Sequence, residues 1–194
     1  MEQEQLFIDY IEQSIIQNWD RNALTDYQGI TLQYKDVARK IAKFHIVLES
    51  AGIQPGDKIA VCGRNSAHWA VCFLATVTYG AVIVPILHEF KADNIHNIVN
   101  HSEAKLLFVG DRAWENLNEE AMPLLMGVVL LTDFTPVVCR DERSWKLSNT
   151  ATPSTARAIP RTSAPNISAT AKNSRPKSWR LSIIRPALPA IPKA

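Results

Sequence analysis

Apolar residues return at two different spacings along the first part of this chain, and the alternation between the two predicts its elements. Leu6, Ile8, Tyr10, Ile11, Ile15, Ile16 and Trp19 recur at helical intervals and predict a surface helix over residues 4–18. Residues 23–34 alternate around Gln28-Gly29, which predicts two short strands joined by a turn. Lys35-Asp36 opens a second helix with Val37, Ile41, Phe44, Val47 and Leu48 on one face. Gly52 stops it, and Pro55-Gly56-Asp57 forms the next turn.

The stretch from Gly56 to Pro85 organises the rest. It holds a β-branched run at Lys58–Cys62, a polar break at Gly63-Arg64-Asn65, a long apolar helix, and a strand at Val82–Val84 closed by Pro85. Such a unit cannot bury both its helix and its strands alone; it requires parallel strands with helices on their faces. Behind it come a helix from Ala92-Asp93 to His101-Ser102, a strand at Leu106–Val109, a helix after Gly110-Asp111 containing Trp114 and Leu117, and a strand at Gly127–Leu131. The order predicts an α/β fold with a mostly parallel sheet flanked by helices. Periodicity stops beyond Arg140. The expected division is an incomplete α/β portion over 1–135 and a basic, Pro/Ala/Ser-rich tail over 136–194, expected to be disordered.

Charge divides the chain in a similar way. Residues 1–142 hold all 19 acidic residues and 11 of the 21 Lys and Arg, a net −8. Residues 143–194 hold ten basic residues, no acidic one, no glycine and seven of the eleven prolines. A basic arm could bind nucleic acid or an acidic partner by releasing counterions. Here the positive charges are scattered, with only Trp145 and Trp179 to stack on bases, so no nucleic-acid partner is expected. The polar start MEQEQ is unlike a secretory signal. The longest apolar run, Ala67–Leu87, is broken by His68, Thr76, Thr78, Gly80 and Pro85, which favours a core helix plus strand over a membrane span. Cytoplasmic residence is expected.

Cys62, Cys72 and Cys139 lie far apart, which fits buried thiols in a reducing compartment rather than a disulfide framework or a zinc site. His45, His68, His88, His96 and His101 show no metal-binding spacing; Asp93 and His96 share a helix face, but two ligands are too few. Gly63-Arg64-Asn65-Ser66 is the nearest approach to a phosphate cradle. It reads as a strand exit followed by a helix cap at Asn65 or Ser66. No residue is assigned a catalytic, cofactor-binding or metal-ligating role.

Several segments in series resemble the beginning of an AMP-binding, adenylate-forming acyl-CoA synthetase of the long-chain fatty acid–CoA ligase type. They are Thr31-Leu32-Gln33-Tyr34-Lys35-Asp36, Gly56-Asp57-Lys58-Ile59-Ala60-Val61, Asn65-Ser66-Ala67-His68-Trp69, Gly80-Ala81-Val82-Ile83-Val84-Pro85 and His101–Phe108. The resemblance spans roughly Leu6–Phe134. It implies a two-step reaction in which a fatty carboxylate attacks ATP to give an acyl-adenylate and pyrophosphate, and the thiol of coenzyme A then takes the acyl group. It also implies Mg²⁺ and a Ser/Thr/Gly-rich phosphate loop close to Y-T-S-G-T-T-G-x-S-K-G. None of the matched residues is catalytic in that family, and no such loop stands among these 194 residues.

The tail offers a reason. When codons are rebuilt from the last base of each codon and the first two of the next, Ser178–Ala194 (SWRLSIIRPALPAIPKA) admits E-L-A-V-I-N-Y-T-S-G-T-T-G-Y-S-K-G. Every position of the implied loop is allowed, without a gap. The expectation is a frameshift between about residues 136 and 174, leaving a fragment inactive as a ligase. A complementing C-terminal fragment, translated separately, is a further possible partner. The alternative is a non-catalytic interaction module whose basic tail binds an acidic partner or nucleic acid.

Overall fold

A computed structural model of the chain describes residues 6–140. The first helix, α1 (Phe7–Gln17), is closed at its start by the Asp9 carboxylate, which accepts the Leu6 N–H at 3.0 Å. Strands β1 (Asn22–Thr25) and β2 (Thr31–Gln33) pair antiparallel around the expected turn, where Gln28 has φ 54°. Helix α2 (Tyr34–Ser50) follows directly. Asp36 accepts the Gln33 N–H at 3.1 Å, and Val37, Ala38, Ile41, Phe44, His45 and Leu48 form its buried stripe.

The central unit is β3 (Lys58–Cys62), α3 (Ala67–Tyr79) and β4 (Val82–Ile86). Gly80 ends α3 at φ 88°, a left-handed conformation that glycine takes without steric cost. Its carbonyl accepts the Gly56 N–H at 2.8 Å, and Val82 N–H donates to Asp57 O at 2.8 Å, so the turn before β3 is tied to the start of β4. Burial works to raise the Asp57 carboxyl. Hydrogen bonds from Lys105 Nζ at 2.8 Å and Gln54 N at 2.7 Å outweigh it, and the carboxyl lies below its ordinary value.

The chain continues through α4 (Ala92–Ser102), β5 (Leu106–Val109), α5 (Asp111–Trp114), a short 3₁₀ turn at Glu119–Ala121, β6 (Gly127–Leu130) and β7 (Pro136–Cys139). Five strands form one sheet in the order β4-β3-β5-β6-β7. The first four are parallel and β7 is antiparallel. One face carries Ile59, Val61, Leu106, Phe108 and Val129 under α2 and α3; the other carries Ala60, Cys62, Leu107, Val109 and Val128 under α4. Alternate strand residues thus feed two cores, which is why these strands read as continuous apolar runs.

Three expectations shift. The strand expected to close at Pro85 runs through it to Ile86. In the parallel ladder Val82, Val84 and Ile86 turn their backbone groups towards β3, so Pro85 faces the outer edge, where its missing N–H breaks no bond. The helix expected to include Leu117 ends at Trp114. Asn116 Nδ2 donates to Arg112 O at 3.0 Å and Asn118 Oδ1 accepts the Glu120 N–H at 3.0 Å, local bonds that compete with helix continuation.

The third concerns the boundary drawn at residue 135, because the sheet continues past it into β7. Arg140 then donates to the carbonyls of Glu119, Met122 and Pro123 at 2.7, 3.1 and 2.7 Å, and its N–H to Met126 O at 2.9 Å. The ordered α/β portion therefore includes Pro136–Arg140. The rest of the expected tail lies outside the described residues. Among the described residues no helix is long and apolar enough to cross a membrane.

Candidate functional site

The chain leaves β3 for β4 on one side and returns past β3 to β5 on the other, with α3 and α4 on opposite faces of the sheet. The direction of winding reverses between β3 and β5. At such a point the loops at the carboxyl ends of the two strands diverge and leave a crevice. A cleft of about 720 Å³ opens there.

Its floor is the close approach of two glycines. Gly110 N–H donates to Cys62 O at 2.9 Å, and a β-carbon on Gly63 would stand 2.5 Å from Leu131 Cδ1. Ile30, Phe90, Ile95, Leu117 and Leu131 supply apolar walls. Arg64 from the β3–α3 loop and Arg112 at the start of α5 stand at the exposed rim, and neither has an ion-pair partner among the described residues. Three acids line the cleft as well: Asp111 accepts from Thr132 Oγ1 at 2.5 Å, Asp26 is bound to the α3 backbone, and Glu89 is exposed. The arrangement suits a ligand with an anionic head and an apolar body, held by charge-assisted hydrogen bonds from the two guanidiniums.

The Gly63-Arg64-Asn65-Ser66 break enters the cleft through Gly63, Arg64 and Ser66, but it is a helix cap. Ser66 Oγ accepts the Trp69 N–H at 3.1 Å, and Asp26 Oδ1 accepts the Ala67 N–H at 2.6 Å. Two of the donors a phosphate would need at the start of α3 are thus already engaged.

The histidines separate. His68 and His88 line the cleft. His96 Nε2 accepts the Asn118 N–H at 3.1 Å, and His101 is exposed at the end of α4. His45 is buried between α2 and α3, its Nε2–H directed at Ala75 O and Thr78 Oγ1, both at 3.0 Å. Burial lowers its pKa, and Nδ1 has no hydrogen-bond partner among the described residues. No group of three His, Cys, Asp or Glu side chains able to hold a metal occurs among the described residues.

From sequence Arg64 stood out only within the Gly63–Ser66 break, which was read as a helix cap, and Arg112 did not stand out. The available signal was positional: each follows a buried strand by two or three residues, at the carboxyl end where parallel sheets bind their ligands.

Comparison with known proteins accounts for this architecture. A fatty acid–[acyl-carrier-protein] ligase, ScoC, from Streptomyces coeruleorubidus is 31% identical over 84 residues, which is 43% of this chain and 16% of that one. Long chain acyl-CoA synthetase 1 from Arabidopsis thaliana is 27% identical over 115 residues, 59% of this chain and 17% of that one. The chain therefore spans about one sixth of the length of these relatives.

Among solved structures, a long-chain-fatty-acid-CoA ligase from Archaeoglobus fulgidus superposes with a TM-score of 0.58 at 20% identity, covering 63% of this chain and 26% of that one. The N-terminal subdomain of NpsA from Klebsiella oxytoca, in complex with 3-hydroxyanthranilyl-AMSN, gives 0.57 at 20% identity, covering 69% and 34%. These likenesses establish the fold. The family model of the AMP-binding enzymes matches residues 11–180, most of the chain, and on that match the protein belongs to the AMP-binding enzyme family.

Proposed function

We propose that the chain is the N-terminal portion of an ATP-dependent fatty acid–CoA ligase, that the 194-residue polypeptide does not complete the ligase reaction alone, and that the cleft between β3 and β5 receives an anionic substrate. Family membership and ligase relatives that act on fatty acids or acyl chains support the substrate class. In such a reaction a carboxylate oxygen attacks the α-phosphorus of ATP and pyrophosphate leaves. The thiolate sulfur of coenzyme A then attacks the acyl carbon, and AMP leaves.

The part of this chemistry available to the described residues is binding. Arg64 and Arg112 offer two planar donor forks to a phosphate or carboxylate head, and the apolar walls exclude water from the body behind it. No described residue cradles a triphosphate, since the donors at the start of α3 are engaged by Asp26 and Ser66.

The observation that carries the proposal of inactivity is the sequence of residues 178–194, which permits the full phosphate loop one base out of register. Two experiments test it. Sequencing the locus should show the loop in the neighbouring frame and a slip upstream of codon 178; an intact frame with no loop in either neighbour overturns the proposal. Purified 194-residue protein with ATP, Mg²⁺, fatty acid and coenzyme A should give only background acyl-CoA, and turnover would refute it. An open frame directly downstream, starting near the loop, would identify a complementing fragment.

The alternative, an interaction module, is favoured by one observation: ten basic residues without an acid in residues 143–194. It requires nucleic-acid or acidic-partner binding that weakens steeply with salt and is abolished by deleting 143–194.

A further inference from the structure

We propose that the β1–β2 turn is a lid over the cleft. Latched by Asp26 to the start of α3, it closes Ile30 towards Phe90 around the apolar body of a ligand whose anionic head is held by Arg64 and Arg112. The inference rests on the cleft reading above and adds to it the residues that select the body.

The starting observation is how the hairpin is attached. Strands β1 and β2 pair only with each other and form a sheet of their own, outside the five-stranded sheet. A two-stranded ribbon has little stability by itself, so its position depends on its anchors. The base is held in several places. Tyr34 N–H donates to Arg21 O at 3.0 Å, Gln33 Nε2 donates to Asp20 O at 3.0 Å, and Lys35 Nζ pairs with Asp20 at 3.0 Å. Leu24 and Leu32 join the core that α2 and α3 cover.

The tip, residues 26–30, is a closed unit. Asp26 N–H donates to Ile30 O at 2.9 Å, Gly29 N–H donates to Asp26 O at 3.1 Å, and Thr31 Oγ1 bonds Thr25 Oγ1 just below at 3.2 Å. Among the described residues the tip has one hydrogen bond to the rest of the fold, from Ala67 N–H to Asp26 Oδ1 at 2.6 Å. A compact tip on a fixed base with a single catch moves as one piece.

What the tip carries gives the movement a use. Asp26, Gly29 and Ile30 line the cleft from the α3 face of the sheet, and Phe90, in the loop before α4, lines it from the opposite face. Ile30 is 44% exposed and Phe90 40%, and Tyr27 in the same turn as Ile30 is 92% exposed. Apolar side chains on two sides of one cleft leave water when an apolar body lies between them, and that burial favours closure. A bare anionic head offers nothing to bury. The two arginines therefore hold the head, and the turn discriminates by the length of the body behind it.

The test uses the full chain at about pH 7.5 with acetate and decanoate, below the micellar range, which share a head and differ in body. NMR titration gives the affinities, and amide hydrogen exchange follows Gly29 and Ala67. Decanoate should bind roughly tenfold to hundredfold more tightly than acetate and slow exchange at both amides about threefold or more; acetate should leave it unchanged. Combining Ile30→Ser with Phe90→Ser should reduce the ratio of the two affinities roughly fivefold or more. Asp26→Ala should quicken Gly29 exchange in the free protein roughly tenfold, whereas Ser66→Ala, which removes the neighbouring cap and keeps the catch, should leave it within about twofold. Equal protection of the turn by acetate and decanoate, an unchanged affinity ratio in the folded double variant, or unchanged Gly29 exchange in Asp26→Ala overturns the lid and leaves the cleft reading intact. If neither carboxylate binds, or if Arg64→Ala with Arg112→Ala leaves binding unaltered, the cleft reading falls and the lid with it.

Discussion

Asp26 Oδ1 accepts the backbone N–H of Ala67 at 2.6 Å, joining the β1–β2 turn to the first turn of a helix 41 residues further on. With Ser66 Oγ on the Trp69 N–H, it satisfies two of the donors that the start of α3 leaves open, and the carboxylate meets the positive end of the helix. Removing it should be felt as lost stability. Asp26→Ala is expected to cost about 1–2 kcal/mol, Ser66→Ala about 1 kcal/mol, and Asp26→Asn less than Asp26→Ala because an acceptor remains. Urea denaturation of the three variants checks the order; an Asp26→Ala midpoint equal to wild type would show that the bond contributes nothing net.

Gly63 should resist enlargement. Its β-carbon would sit 2.5 Å from Leu131 Cδ1 and 3.5 Å from Gly110 N, and Leu131 is buried. Gly63→Ala is expected to cost about 1–3 kcal/mol by overpacking. Adding Leu131→Ala should recover part of that loss, a non-additivity that a double-mutant cycle measures directly.

Stability should fall as the solution is acidified through the histidine range, and His45 should account for part of the fall. Its folded pKa is lowered by burial, with the hydrogen bond to Ala75 acting in the opposite direction. A group depressed in the folded state is protonated first in the unfolded chain. The stabilisation is therefore complete above the unfolded value of about 6.5 and is lost as pH drops through the folded value. Comparing denaturation of wild type and His45→Leu from neutral pH downwards should show a shallower slope for the variant. Equal slopes would assign the acid sensitivity elsewhere.

Thiol labelling should separate the three cysteines. Cys62 and Cys72 are buried, and burial pushes both thiols up, Cys62 to about 11, whereas Cys139 is exposed at the end of β7. A thiol reagent added to native protein should label Cys139 quickly and the other two only on unfolding, because the thiolate is the nucleophile. Rapid labelling of Cys72 in native protein would contradict the placement of α3 over the sheet.

Much of the fold could be read from spacing alone. The buried strand Leu106–Val109 has the bounds its apolar run predicts, and α4 runs from Ala92 to Ser102 as expected. Both are set by local side-chain periodicity. Strand β7 was not legible because it opens on a proline and its turn places a phenylalanine, not a glycine, at positive φ. Pro85 was read as a stop, and only the position of β4 at the sheet edge makes it a permitted strand residue.

By itself the sequence determined the order and type of the elements from α1 to β6, because helix and strand periodicity are properties of neighbours a few residues apart. It also determined the resemblance to adenylate-forming ligases, carried by short segments in series. The tertiary structure decided which loops meet. Strand order places Gly63 beside Gly110, brings Arg64 and Arg112 to one rim, engages the α3 donors with Asp26, and sets Phe134 against His68. These contacts join residues tens of positions apart, and their geometry follows from how the chain winds around β3, which no local spacing records.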